Sequence, residues 1–261
     1  MRNRLTDLVG YTTASVVKKK HAVFGVQFEE TDGKSQSIRI DKVITSGTLK
    51  ASTSWNGMDQ IWKWDVENDA WAFYGYYMYD DDQELAAWHK YNKAEGTFTP
   101  ITDDDVLNSG DAFYFYNAHS SKAKTITLAG GVKPLTDTKV YTIAKKKHNV
   151  IAYPWPIDIK ITDIPKFYTG ASVAKASTSW NGMDQIWCWD YTNDAWAFYG
   201  YYMYDDDQEL SAWYKYEKSE GTFTPCTDAD VIKAGQGFYF FNAHSTKAKT
   251  ITFTYPVPES K

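Results

Sequence analysis

The sequence predicts an all-β protein: two homologous β-sandwich or partly closed β-barrel domains in tandem, with little helix. Three observations lead there. Residues 51–128 recur at 176–253, offset by 125, with 17 differences in 78 aligned positions. Stretches such as Trp71–Tyr79 are aromatic-rich and lack the three-to-four-residue spacing of an amphipathic helix. Short apolar runs alternate with polar turn signals throughout, as in sandwiches and barrels. A period near 125 residues is too long for a solenoid repeat, so each copy should own a core. The expected domains are 1–134 and 135–261, joined around Lys133-Pro134-Leu135-Thr136-Asp137.

Taken in chain order, the halves begin as distant relatives. Val9-Gly10-Tyr11-Thr12 lies near Lys139-Val140-Tyr141-Thr142, and Lys18-Lys19-Lys20-His21 matches Lys145-Lys146-Lys147-His148 at an offset of 127. These basic runs read as charged loops that keep an edge strand soluble. His21–Phe28 alternates like a strand. Ile61–Trp64 and Trp71–Tyr74 flank a polar stretch and predict a hairpin. The best helix candidate is Asp82–Tyr91, with Asp at its start and Leu85 and Trp88 three apart. Thr102–Asn108 is expected to form one short helical turn. Further strands are expected at Ala112–Asn117 and Lys124–Leu128, with copies at Gly237–Asn242 and Lys249–Phe253.

Composition excludes several functions. The 261 residues carry 28 Lys+Arg against 33 Asp+Glu, a formal charge of -5, which lacks the basic footprint of a nucleic-acid binder. No apolar run approaches the roughly 20 residues of a membrane span. The N-terminal charges lack an apolar segment behind them, so the chain is either cytoplasmic or a mature protein without its leader. Aromatic content is the outlier, with 11 Trp, 20 Tyr and 13 Phe, 17% of the chain. Much of it is one block written twice.

The progression Gly10-Tyr11-Thr12, then Asp59-Gln60-Ile61-Trp62-x-Trp64-Asp65, then Ser109-Gly110-Asp111-Ala112-Phe113-Tyr114-Phe115 resembles tandem all-β repeats of large bacterial secreted and cell-surface proteins. Copy two keeps a Gly235-Gln236-Gly237-Phe238 turn and a Thr250-Ile251-Thr252 strand. Copy one has Ala112 in place of the second glycine. The resemblance implies secretion and a β fold and transfers no catalytic residue. An extracellular or cell-surface location is therefore expected.

Across 51–91 only five of 41 positions differ from 176–216, whereas the N-terminal portions have drifted. One reading is a duplicated contact face, and Trp next to Asp and Asn suits a sugar. Its candidate ligand-binding residues are Trp55, Asn56, Asp59, Trp62, Trp64 and Trp88, with Trp180, Asn181, Asp184, Trp187, Trp189 and Trp213. The other reading is a homogenised segment whose aromatics sit in the core. The acidic runs place Asp80 and Asp82, and Asp205 and Asp207, as candidate oxygen ligands for calcium, without the spaced order of an EF-hand loop; no other cofactor is expected. Cys188 and Cys226 replace Lys63 and Ile101 of copy one. Their joint appearance in copy two suggests a disulfide, with two independent thiols as the alternative. No nucleophile-base constellation or phosphate-binding loop is present in the sequence. The expected function is non-catalytic glycan or polysaccharide binding. The alternative is a structural subunit of an extracellular assembly that contacts copies of itself.

Overall fold

The computed structural model describes residues 9–29, 37–44, 49–65, 68, 70–80, 82–132, 137–170, 173–191, 193, 195–204 and 211–255. It is all-β. The first half contains β1 (Val9–Val16), β2 (His21–Gly25), β3 (Phe28–Glu29), β4 (Ser37–Arg39), β5 (Gln60–Asp65), β6 (Ala70–Tyr77), β7 (Ala87–Asn92), β8 (Thr97–Pro100), β9 (Val106–Asn108), β10 (Ala112–Tyr116) and β11 (Lys124–Val132). The second contains β12 (Thr138–Ile143), β13 (His148–Ala152), β14 (Ile159–Lys160), β15 (Gln185–Asp190), β16 (Ala195–Tyr202), β17 (Ala212–Glu217), β18 (Thr222–Pro225), β19 (Val231–Ile232), β20 (Gly237–Phe241) and β21 (Lys249–Thr254).

Each half is built on a six-stranded antiparallel sheet, ordered β2-β10-β5-β6-β7-β8 in the first and β13-β20-β15-β16-β17-β18 in the second. The second layer is β1-β11-β3 with β4-β9 in the first half, and β12-β21 with β14-β19 in the second. Among the described residues no sheet combines named strands from the two sides of residue 134. Strand alternation explains the layering. Along β10, Phe113 and Phe115 enter the core between the layers, while Ala112 and Tyr114 point to the opposite face. The core of the first half gathers Phe24, Phe28, Ile40, Ile61, Trp88, Leu107, Ile126 and Leu128 around them.

A third cluster joins the halves. Val23 and Ala112 of the first pack on Val150 and Ala152 of the second, ringed by Trp64, Trp71, Tyr114, Trp189, Trp196 and Tyr239. The contact is reciprocal. Phe24 bridges Gln236 while Asp111 bridges Ile151, and residues 24 and 151, like 111 and 236, are equivalent in the repeat. Likewise Gly25 N–H donates to Gly235 O (2.8 Å) and Ala152 N–H to Gly110 O (2.9 Å). The Tyr114 hydroxyl donates to its own equivalent, Tyr239 (2.7 Å). Such self-complementary pairing is that of an isologous dimer, here within one chain.

Local expectations divide. The hairpin forms with Trp64 opposite Trp71 and Asp65 opposite Ala70. The basic runs are the turns joining β1 to β2 and β12 to β13, with Lys19 and Lys146 at positive φ (55° and 54°), beside the edge strands β2 and β13. The helix expected over Asp82–Tyr91 is instead a three-residue 3-10 turn, Gln83–Leu85, followed by β7. Leu85 is 60% exposed and Trp88 is buried, so the pair does not share a face. Pairing β7 between β6 and β8 buries Trp88 and completes two ladders, which outweighs a helix of marginal length. Thr102–Asn108 is a turn leading into β9, not a helical turn.

Candidate functional site

The outer face of each six-stranded sheet carries the aromatic block. Register sets Tyr114 opposite Trp62, Trp62 opposite Phe73, Phe73 opposite Tyr91 and Tyr91 opposite Phe98, one row across five strands. The second copy repeats it as Tyr239, Trp187, Phe198, Tyr216 and Phe223. Trp55 arrives from the loop before β5 and lies over Gly75, whose missing side chain leaves room: a Cβ there would meet Met58 Sδ at 2.3 Å and Trp55 Cζ3 at 3.1 Å. The indole stacks on Tyr91 with centroids 4.4 Å apart and 14° between planes, and Tyr77 stacks on Phe98 at 4.3 Å. Trp180 stacks on Tyr216 (4.6 Å) and Tyr202 on Phe223 (4.4 Å) in the same way.

Two polar devices hold this face. Gln60 donates from Nε2 to Trp55 O (2.6 Å) and accepts from Trp62 Nε1 (2.9 Å), tying loop to strand; Gln185 does the same for Trp180 and Trp187. With its N–H engaged, Trp62 turns only ring surface outward. Asp59 anchors the base of the loop. It is fully buried, pairs with Lys124, and accepts N–H bonds from Lys50 (2.8 Å) and Ala118 (3.0 Å).

The candidate residues therefore separate into three groups. Trp55, Trp62, Trp180 and Trp187 lie half-buried on the open part of the face, with Asn56 and Asn181 exposed beside them. Trp64 and Trp189 are in the junction between the halves. Asp59, Asp184, Trp88 and Trp213 are corrected from contact residues to interior ones. The two aspartates are 0% exposed and the two indoles 4% and 3%. The physical reason is parity: Trp88 is one position out of phase with His89 and Tyr91 on β7, so it faces the core. The sequence reading missed Phe73, Tyr77, Tyr91 and Phe98 with their copies. Alternation along β6 from Trp71, carried across the hairpin, places the first two on the same face as Trp62. Lys93 and Lys218 add one cation each, 5.5 Å above the Phe73 ring and 5.8 Å above Phe198.

Asp82 Oδ1 accepts the Glu84 N–H (2.9 Å), and Asp80 sits in the same turn at φ 48°. Asp205 and Asp207 lie outside the described residues. Among the described residues no group of three or more His, Cys, Asp or Glu gathers as a metal site. The expected bridge is corrected: Cys188 and Cys226 are free thiols. Cys188 is on β15 and Cys226 follows β18, three strand spacings or about 14 Å along the sheet, too far to close a disulfide. Burial pushes the Cys188 thiol up, and pushes that of Cys226 up to about 12.

Among the described residues no helix is long and apolar enough to cross a membrane. Chemically, the arrangement is a contact surface of polarizable rings with an amide and a cation at its margin, present twice. No known family model, no curated protein and no solved structure matches the chain.

Proposed function

We propose that the chain is a non-catalytic glycan-binding protein with two equivalent sites, the open aromatic faces around Trp55 and Trp180, acting outside the cell. One observation carries the reading. Trp55, Trp62, Phe73, Tyr77, Tyr91, Phe98 and Tyr114 on the outer face are identical in both copies, with Tyr116 (Phe241) and the buried His89 (Tyr214) the aromatic exchanges there, while interior positions of the same repeat have changed: Lys63 to Cys188, Ile101 to Cys226, Leu107 to Ile232, Leu128 to Phe253. Packing alone tolerates volume-conserving exchange, so identity at half-exposed rings supports selection for contact. Ring surfaces suit the C–H faces of a pyranose, and Asn56 and Lys93 supply a donor-acceptor margin. Two sites on one chain raise avidity for a polymer carrying many copies of the epitope. The extracellular setting rests on the resemblance to bacterial surface repeats.

The test is a glycan array on the full chain, followed by calorimetric titration of any hit. Two sites per chain are expected, with binding abolished in Trp55→Ala/Trp180→Ala and halved in stoichiometry in either single variant. Absence of any glycan signal, together with concentration-dependent self-association lost in the same double variant, would establish the subunit-contact alternative instead.

A further inference from the structure

We propose that each copy closes an intramolecular isopeptide bond, from Lys124 Nζ to Asp59 Cγ and from Lys249 Nζ to Asp184 Cγ. The pairs occupy equivalent positions, and neither residue contacts ligand in the glycan reading. In each, the lysine begins the last strand of the second layer and the aspartate immediately precedes a central strand of the six-stranded sheet, so the bond would staple one layer to the other. Both partners are removed from water, with side chains 7% and 0% exposed in the first pair and 2% and 0% in the second. Nζ and carboxylate are in direct contact in both. Aromatic rings wall the sites: Phe115 lies 5.9 Å from Lys124 Nζ, and Tyr168 and Phe240 lie 5.1 and 5.8 Å from Lys249 Nζ.

The surroundings supply what amide formation needs. Attack requires the neutral amine, and in the second copy desolvation with the nearby Lys175 charge brings Lys249 down to about 7. The carboxyl carbon must accept attack while negative charge grows on oxygen. Backbone N–H groups already point at both Asp59 oxygens, from Ala118 (3.0 Å) and Lys50 (2.8 Å). Ala243 and Lys175 do the same for Asp184 (3.0 and 2.9 Å). Such donors stabilise a tetrahedral oxyanion in a water-poor site. The step balances without any other reactant. One proton passes from the ammonium to the carboxylate, and the freed Nζ lone pair attacks Cγ. The Cγ–OH bond then breaks, and the hydroxide leaves with a second amine proton as one water. A neutral ion pair becomes a neutral amide, so net charge is unchanged. The gain is that two ions no longer have to be held in a low-dielectric interior, and the remaining carbonyl oxygen has lone pairs for both N–H donors.

Intact mass under denaturing conditions tests this on the full chain. The expected mass is two waters below that of the sequence, with a branched proteolytic peptide joining the segments that contain Asp59 and Lys124, and another joining those of Asp184 and Lys249. Lys124→Arg and Lys249→Arg keep a cation in place but cannot condense, so each should restore one water and remove its own branched peptide. A wild-type chain at full sequence mass overturns the proposal. So does a water loss that persists in the Arg variants or yields no branched peptide, since it would then be dehydration elsewhere.

Discussion

Gly75 and its copy Gly200 decide where Trp55 and Trp180 can lie. An alanine at position 75 would place its Cβ within 2.3 Å of Met58 Sδ and 3.1 Å of the indole. Met58 is fully buried, so its thioether has little room to yield, and the crowding should also shift the indole on Tyr91. Gly75→Ala should cost about 1–3 kcal/mol of stability, as overpacking does, and weaken ligand binding at that copy while the other copy still binds. Urea unfolding and titration stoichiometry read the two effects separately. His21 and His148 illustrate a different residue-scale control. Each packs against the tryptophan of its own face, Trp62 at 4.7 Å and Trp187 at 5.1 Å, and burial lowers the imidazole pKa from the ordinary 6.5. The folded state then binds fewer protons than the unfolded chain below about pH 6.5, so stability falls as pH drops through that value toward the lowered one. Asp41, held below its usual range by the hydrogen bond from Arg39, acts in the same direction only at more acid pH. Replacing both histidines by Phe should therefore flatten the decline in unfolding free energy between pH 7 and pH 5; an unchanged slope would mean the rings are not the groups that titrate.

At the scale of elements, Asn117 locks two turns together. It is fully buried, donates from Nδ2 to Val16 O (2.9 Å) and Lys122 O (3.0 Å), and accepts the His119 N–H (3.0 Å). It thereby joins the β1–β2 turn, which carries the lysine run, to the connection between β10 and β11. Asn242 repeats the arrangement. Asn117→Ala leaves buried carbonyls without a donor and should destabilise the chain by about 2–3 kcal/mol, measured by chemical denaturation. Asn117→Asp, which keeps the acceptor but loses the donor, should be no better. These links span 101 residues in one direction and 5 in the other, and nothing local in the sequence announces the longer one. The strands themselves were legible because alternation is local: the hairpin, β10, β11 and their copies fall within a few residues of expectation. The helix expected at Asp82–Tyr91 failed because Leu85 and Trp88 satisfy helical spacing while the competing ladders with β6 and β8 are non-local. The same limit applies to the site. Trp55 and Trp62 could be found from the repeated block, but parity on β7 and the pairing of Asp59 with Lys124 depend on partners far along the chain.

For the whole molecule, the informative positions are those where the two copies cannot be alike. Across the junction Gly25 faces its own equivalent Ala152, and Gly237 faces its equivalent Ala112. A Cβ on Gly25 would lie 2.4 Å from the Ala152 Cβ, and one on Gly237 would lie 2.7 Å from the Ala112 Cβ. In a symmetric pairing of identical copies, each site would hold either two methyl groups in one space or none. The chain places one methyl at each, from a different copy each time. Tyr191, which stands where copy one has Val66, strengthens the asymmetry by donating its hydroxyl to Val23 O (2.5 Å) beside the Phe24 ring. The junction is thus specified for unlike halves, which fixes the two aromatic faces in one relative orientation. Gly25→Ala should force the sheets apart, at a cost of about 1–3 kcal/mol by overpacking, and should wet the junction indoles Trp64, Trp71, Trp189 and Trp196, read as a red shift in tryptophan emission. Adding Ala152→Gly moves the methyl to the other side of the same contact. The double variant should recover most of the stability and the emission maximum, because only the approach to the Gln236 carbonyl, O at 3.0 Å and C at 3.2 Å, then remains tight. If the double variant is as destabilised as the single, the fit between these two residues is not what joins the halves.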